Sequence, residues 1–132
     1  MAKQTSRSLS LALQGGGAHG AYTWGVLDRL VEEESLEISA ITATSAGAMN
    51  AVALAAGMAE NGAQGAKDTL EALWRGISRS GRSLTPYGAL SPIAFAYASA
   101  VQSLASPYDL NPFNINPLRD VVKDVIDFSK VD

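Results

Sequence analysis

The 132-residue chain contains no cysteine and a single histidine, His19. The missing cysteines exclude disulfides, thiolate catalysis and Cys-ligated zinc or iron–sulfur sites, and one histidine excludes a multi-histidine metal cage. We therefore expect no metal and no cofactor. Positive charge is also scarce, since ten Lys and Arg against thirteen Asp and Glu give a net charge of −3. Without a basic surface to bind a phosphate backbone, nucleic acid is not expected as a partner.

Long apolar runs are missing as well. Residues 9–13 form a short apolar stretch that ends at three glycines, whereas a signal peptide needs roughly 7–15 apolar residues and a membrane span about 20. We therefore expect a cytoplasmic protein in which any membrane contact is peripheral. Apolar residues nevertheless make up 47% of the chain, which is enough for a packed core.

The first half of the chain alternates between strand and helix patterns. Residues 9–13 predict a strand buried on both faces, residues 21–34 a helix, and residues 38–44 a second apolar strand. This β-α-β order predicts an α/β fold with a parallel sheet flanked by helices. Residues 1–8 are expected to form a flexible tail.

Further helices are expected in the rest of the chain, at residues 48–59, along the stripe Leu70, Leu73, Trp74 and Ile77, from Pro92, and after Asn116-Pro117. Loops are expected at the glycines of residues 57–65, over 78–91 and over 106–116. Two strands are few for a parallel sheet and leave its edges uncovered. We therefore expect residues 9–132 to be the N-terminal portion of a larger domain.

A glycine-rich segment follows the first predicted strand and matches Gly-x-Gly-x-x-Gly at Gly15, Gly17 and Gly20. It is the first of two strand-to-helix connections, here called joints. Backbone amides at such a turn can bind a dinucleotide pyrophosphate, or form an oxyanion hole for a carbonyl oxygen under attack. A dinucleotide site also needs an acidic residue at the end of the second strand, and residues 41–45 contain none. The pattern therefore favours the oxyanion hole, although glycines after a strand also serve simply as a tight turn.

A second joint, Ala43-Thr44-Ser45-Ala46-Gly47, leads from the second strand into a helix. Serine at a sharp strand-to-helix turn with small neighbours is typical of a nucleophile elbow, although Ala43 stands where the pattern has glycine. The alternative is a helix N-cap with small residues for packing. Parallel neighbouring strands place both joints at the same edge of the sheet. Because His19 precedes the serine, a Ser-His-Asp order of the α/β-hydrolase type is not expected, and a carboxylate is the better candidate for the base.

The segments Leu-Gln-Gly-Gly-Gly-Ala-His-Gly-Ala-Tyr (13–22) and Ala-Thr-Ser-Ala-Gly-Ala-Met-Asn-Ala (43–51) resemble those of patatin-like phospholipases, particularly bacterial ones. The resemblance covers about residues 9 to 130. It implies a serine acyl hydrolase that acts on ester bonds of phospholipids, lysophospholipids or neutral glycerides through a Ser–Asp dyad without a cofactor. Ser45 would be the nucleophile, and the amides of Gly15, Gly16 and Gly17 would form the oxyanion hole. His19 and Gly20 would shape the glycine loop.

The chain departs from that family in one respect that bears on catalysis. The family's aspartate is followed by Gly-Gly or Gly-Ala, whereas none of the seven aspartates here precedes a glycine. Since an unactivated serine is a weak nucleophile, the chain alone is expected to hydrolyse esters poorly. Three hypotheses result: a patatin-like lipid acyl hydrolase, an inactive module of that type that binds a lipid or a partner, and, least supported, a dinucleotide-binding fragment.

Overall fold

A computed structural model of the chain describes residues 6–84 and 116–130. This part contains β1 (Arg7–Leu13), a 3-10 turn (Gly17–His19), α1 (Gly20–Leu30), β2 (Leu36–Ala43), α2 (Ala46–Leu84), α3 (Pro117–Val125) and a second 3-10 turn (Phe128–Lys130). The predicted α/β class is confirmed. The helix expected from Pro92, and all but the last residue of the loop expected over 106–116, lie outside the described residues.

β1 and β2 pair in parallel, from Arg7 opposite Leu36 to Leu13 opposite Ala43, with α1 as the connection between them. The β-α-β unit predicted from the sequence is therefore confirmed. A bulge between Leu9 and Ser10 interrupts the register. β1 begins at Arg7, so the strand includes the last two residues of the segment expected to be a tail.

Only one face of this sheet packs against the core. Apolar side chains from both strands contact it on that face, namely Leu11, Leu13, Ile38 and Ile41. Ser8, Ser10 and Thr42 are exposed on the strands, and the Ser8 hydroxyl donates to the Ser39 hydroxyl at 2.8 Å. The prediction that β1 is buried on both faces is therefore wrong within the described residues. The alternation of leucine with Ser10 and Ala12 is the pattern of a half-buried strand.

α2 is a 39-residue helix with a break at Asn61 and Gly62, whose backbone angles are not helical. The halves, residues 46–60 and 63–84, meet closely beside the break, since a Cβ at Gly57 would collide with the carbonyl oxygen of Gly65. The loop expected over 57–65 is thus reduced to two residues. The second half also continues to Leu84, through the first residues of the loop expected over 78–91.

The core lies between the sheet and the helices. Its fully buried leucines come from α1 and from both halves of α2: Leu27, Leu54, Leu70 and Leu73. Valines of α3 pack against this cluster. α3 begins where the sequence predicts, because the Asn116 side chain accepts a hydrogen bond from the Arg119 amide at 3.0 Å and Pro117 follows as the first helical residue. None of the described helices combines the length and apolar character that crossing a membrane requires.

Candidate active site

Ser45 lies in the two-residue turn between the end of β2 at Ala43 and the start of α2 at Ala46. Its φ is 52°, and among the described residues it is the only non-glycine residue with a positive φ. That conformation costs an L-residue about 1–2 kcal/mol. Strained turns of this kind hold nucleophilic serines at the top of parallel sheets. The side chain of Ser45 is exposed.

Small residues around Ser45 let this turn pack against the end of β1. A Cβ at Gly47 would collide with the carbonyl oxygen of Leu13 and would lie 2.8 Å from that of Gln14. The Thr44 amide donates to the Leu13 carbonyl at 3.2 Å, which continues the strand pairing up to the turn. The end of the first strand is therefore fixed directly against the serine turn.

The glycine loop lies beside Ser45. A Cβ at Gly15 would be 3.1 Å from the Ser45 Cβ and 3.3 Å from the Thr44 carbonyl oxygen. Gly16 and Gly17 have φ values of 154° and 56°, which favour glycine. Within the described part of the chain, neither the Gly15 nor the Gly16 amide donates to a backbone carbonyl. The structure therefore brings together the two joints that the sequence places at one sheet edge.

His19 and Gly20 connect this loop to α1. The His19 amide and its Nδ1 lie 3.2 Å and 3.1 Å from the Gly16 carbonyl oxygen, so an Nδ1–H donates to the same acceptor as the backbone. His19 thus closes the 3-10 turn. Gly20 is buried, and a Cβ there would lie 2.8 Å from the Ala46 Cβ and 2.8 Å from the Trp74 ring.

An apolar cavity of about 580 Å³ opens beside Ser45, within the size range typical of small-molecule sites. It is lined by the glycine loop, α1, both halves of α2 and α3: Gly17, Ala18, Ala21, Trp24, Ser45, Met49, Trp74, Ile77, Ser78 and Leu118. Both tryptophans of the chain lie in this wall. No aspartate, glutamate or histidine of the described residues lines the cavity.

Hydrogen bonds fix the two tryptophans of the cavity wall. Trp24 Nε1 donates to the Asp28 carboxylate at 3.1 Å, and Trp74 Nε1 donates to the Asn50 Oδ1 at 2.8 Å. Burial raises the pKa of the Asp28 carboxyl, an effect that the bond from Trp24 reduces. The spacing of four residues between Trp24 and Asp28 could have revealed the first pair from the sequence. The second pair joins residues 24 apart and has no such signal.

Asn50 also contacts the glycine loop. This side chain is fully buried, and its Nδ2 donates to the Gly20 carbonyl oxygen at 2.9 Å. Asn50 falls within the helix predicted over residues 48–59, and no pattern in the sequence indicates its bond to Gly20.

The comparisons with known proteins give one match. A family model described as patatin-like phospholipase matches residues 11–131. Neither the curated proteins nor the solved structures gave a match to the chain.

Proposed function

Because the chain belongs to the patatin-like phospholipase family, whose members are in general lipid acyl hydrolases, we propose that it provides the nucleophile and the oxyanion hole for hydrolysing ester bonds of lipids. The observation that carries this proposal is the position of Ser45, in a left-handed turn directly against Gly15. A serine hydroxyl beside a loop of backbone amides is the arrangement that acyl transfer requires.

In the proposed reaction, Ser45 Oγ attacks the ester carbonyl carbon while its proton passes to a base. The carbonyl oxygen becomes an oxyanion and accepts hydrogen bonds from amides of Gly15, Gly16 and Gly17. The intermediate then expels the alcohol, which takes up a proton, and leaves an acyl group on Ser45. Water attacks this acyl-serine, releases the fatty acid and restores the hydroxyl. In the family an aspartate followed by glycine acts as the base, and this sequence contains no Asp-Gly pair.

The apolar cavity is proposed to bind the acyl chain. It is adjacent to Ser45, and its wall consists mainly of aromatic and aliphatic side chains such as Trp24, Met49 and Leu118. Burying an acyl chain there would remove apolar surface from water, at roughly 25 cal/mol for each Å². The polar end of the ester would remain at the serine and the glycine loop.

A fluorophosphonate probe with a long alkyl chain tests the nucleophile. We expect a single adduct, located at Ser45 by peptide mass spectrometry, that forms slowly because no carboxylate of the described residues lines the cavity. Ser45→Ala should abolish the adduct. Ser78→Ala is the matched control, since Ser78 lines the same cavity, and it should leave the adduct at Ser45 in place. Absence of an adduct at Ser45, or equal labelling of another serine, would contradict the proposal.

The second candidate function is lipid binding without hydrolysis, which the lack of an Asp-Gly pair favours. Both tryptophans line the cavity, so a brominated fatty acid bound there should quench the intrinsic fluorescence of the chain. Saturable quenching together with no Ser45 adduct would favour this second function. Quenching together with an adduct that Ser45→Ala removes would favour the hydrolase.

A further inference from the structure

We propose that Asn50 is a positioning residue that holds the glycine loop in place relative to Ser45. The inference rests on the proposed function only for its effect on the reaction rate at Ser45, because the hydrogen bonds of Asn50 do not depend on Ser45 being reactive. Asn50 is fully buried and makes two side-chain hydrogen bonds, one to the Gly20 carbonyl oxygen and one from Trp74 Nε1.

Chemistry fixes the orientation of the Asn50 amide. The indole N–H of Trp74 can only donate, and the carbonyl of Gly20 can only accept. The Asn50 Oδ1 must therefore face Trp74 and the Asn50 NH₂ must face Gly20. In the structure, Oδ1 lies 2.8 Å from Trp74 Nε1 and Nδ2 lies 2.9 Å from the Gly20 carbonyl oxygen. Asparagine has both the acceptor and the donor that this place needs, whereas leucine has neither and ionised aspartate lacks the donor.

The bond to Gly20 acts at the point where the glycine loop enters α1. Asn50 lies on α2, the helix that follows the serine turn, four residues after Ala46. Gly20 is pressed against Ala46 and Trp74, so closely that even a Cβ would not fit. The Asn50–Gly20 bond therefore joins the nucleophile helix to the amides of residues 15–17 across a contact that leaves little room for sliding.

Positioning of this kind affects the rate of the chemical step. Oxyanion donors must lie close to 3 Å from the developing charge, and a displacement of about 1 Å can cost a hundredfold in rate. Loss of the Asn50–Gly20 bond should therefore slow bond formation at Ser45 while the acyl cavity still binds the probe. Loss of the Asn50–Trp74 bond should instead act on the cavity wall.

The test compares Asn50→Asp with Trp74→Phe. Asn50→Asp keeps the acceptor for Trp74 and, when ionised, removes the donor to Gly20. Trp74→Phe leaves the Asn50 donor to Gly20 in place, but it removes the indole donor and ring atoms that pack against Gly20. Leu54→Ala is the control for a general loss of stability, since Leu54 is a core residue of the same helix half and does not line the Ser45 cavity.

Two measurements are made on each variant: amide hydrogen exchange of His19 and Gly20, whose amides donate to backbone carbonyls of the loop, and the rate of Ser45 labelling at saturating fluorophosphonate. Above the pKa of the introduced carboxyl, which burial raises, Asn50→Asp should lower exchange protection of the loop by about ten- to a hundredfold. It should lower the labelling rate by a similar factor, with little change in the probe concentration for half-maximal labelling. Lowering the pH should restore protection in this variant, because a protonated carboxyl group can again donate to the Gly20 carbonyl. Leu54→Ala should leave loop protection close to wild type. Trp74→Phe, which loses packing against Gly20 but keeps the Asn50–Gly20 bond, should lower protection less than Asn50→Asp does.

Loop protection that stays at the wild-type level in Asn50→Asp once its carboxyl is ionised, or that falls equally in Leu54→Ala, would overturn the inference. Equal loss of protection in Trp74→Phe would overturn it too, because the effect would then run through the cavity wall. If the wild-type chain shows no Ser45 adduct but the exchange results are as expected, the proposed hydrolase function fails and the positioning role stands.

Discussion

Ser45 combines an unfavourable backbone angle with an exposed side chain. An ordinary turn would place glycine or asparagine at a φ of 52°, because those residues adopt the left-handed region most readily. Serine at this position costs stability that the surrounding packing of Gly15, Ala46 and Gly47 must offset. Strain at one residue held by close glycine contacts is more typical of a functional site than of a connecting turn.

This strain predicts the order of stability of two variants. Ser45→Gly should be more stable than Ser45→Ala by about 1 kcal/mol in the free energy of unfolding, because glycine has no Cβ to clash in the left-handed region. Urea denaturation measures the difference. Ser10 provides the control, since it lies in β1 without a positive φ. At Ser10, alanine should be the more stable replacement. If Ser45→Gly is no more stable than Ser45→Ala, the strain argument is contradicted.

The raised pKa of the Asp28 carboxyl should make the stability of the chain depend on pH. Burial raises its pKa in the folded chain above the ordinary value of 3.8, so the unfolded chain loses this proton first as the pH rises. Relative to Asp28→Asn, which keeps an acceptor for Trp24, the wild type should be most stable at acid pH. Its relative stability should fall as the pH rises past 3.8 and level off above the folded pKa.

Denaturation of the wild type and of Asp28→Asn between about pH 3 and 6, a range that brackets ordinary carboxyl pKa values, checks this sign. Lys67 lowers the pKa of the Glu32 carboxyl, which acts in the opposite direction. Since Glu32 titrates in both proteins, its contribution cancels to a first approximation in their difference. A difference that grows in favour of the wild type with rising pH would show that burial is not the dominant influence on Asp28.

At the scale of the elements, the two halves of α2 cross at Gly57 and Gly65. We expect Gly57→Ala to destabilise the chain by about 1–3 kcal/mol, because the added methyl group meets backbone that cannot move aside as a flexible side chain could. Gly25→Ala is the matched control, since Gly25 lies in α1 with nothing within 4 Å of an added Cβ. It should stabilise the chain by about 0.5–1 kcal/mol through helix propensity. Thermal or urea unfolding of both variants would reveal whether these signs are wrong.

The elements that the sequence predicts correctly are those with a local cause. The apolar period predicts β1, α1 and β2, and Asn116-Pro117 predicts the start of α3. The loop predicted over residues 57–65 is wrong for all but Asn61 and Gly62, because glycine serves two purposes. Of the three glycines described in this segment, only Gly62 has a positive φ. Gly57 and Gly65 instead allow the backbones of the two helix halves to approach each other closely. A packing partner cannot be recognised from one segment alone. Gly81 did not end the second half of α2, since a single interior glycine costs a helix only about 1 kcal/mol.

The candidate site divides in the same way. The pairing of Ser45 with the glycine loop follows from two parallel strands, whose carboxyl ends share an edge. The cavity walls and the hydrogen bonds of Asn50 depend on the direction that α2 takes after its break. The second half of α2 packs back against the first half, which brings Trp74 to Asn50. No period or motif within the sequence specifies that long-range contact.

At the scale of the whole molecule, no carboxylate of the described residues lines the cavity beside Ser45, the proposed nucleophile. We expect Ser45-dependent hydrolysis of 4-nitrophenyl butyrate by this chain to be slow, at least about 10³-fold below an enzyme with a complete dyad. Added acetate supplies a diffusible carboxylate and should raise the rate. Ser45→Ala measures the background reaction of acetate with the ester. A fast reaction without acetate that disappears in Ser45→Ala would mean that a base already acts on Ser45.

The break at Asn61 and Gly62 has a consequence that reaches beyond the core. A straight helix of 39 residues would extend for about 58 Å and would carry its last turns far from its first. The two-residue corner instead reverses the chain and also sets the rotational phase of everything after it. One residue inserted there would turn the returning half by about 100°, so that the indole now bonded to Asn50 would face another direction. The geometry around the Ser45 hydroxyl is thus encoded partly in a two-residue corner that does not line the cavity.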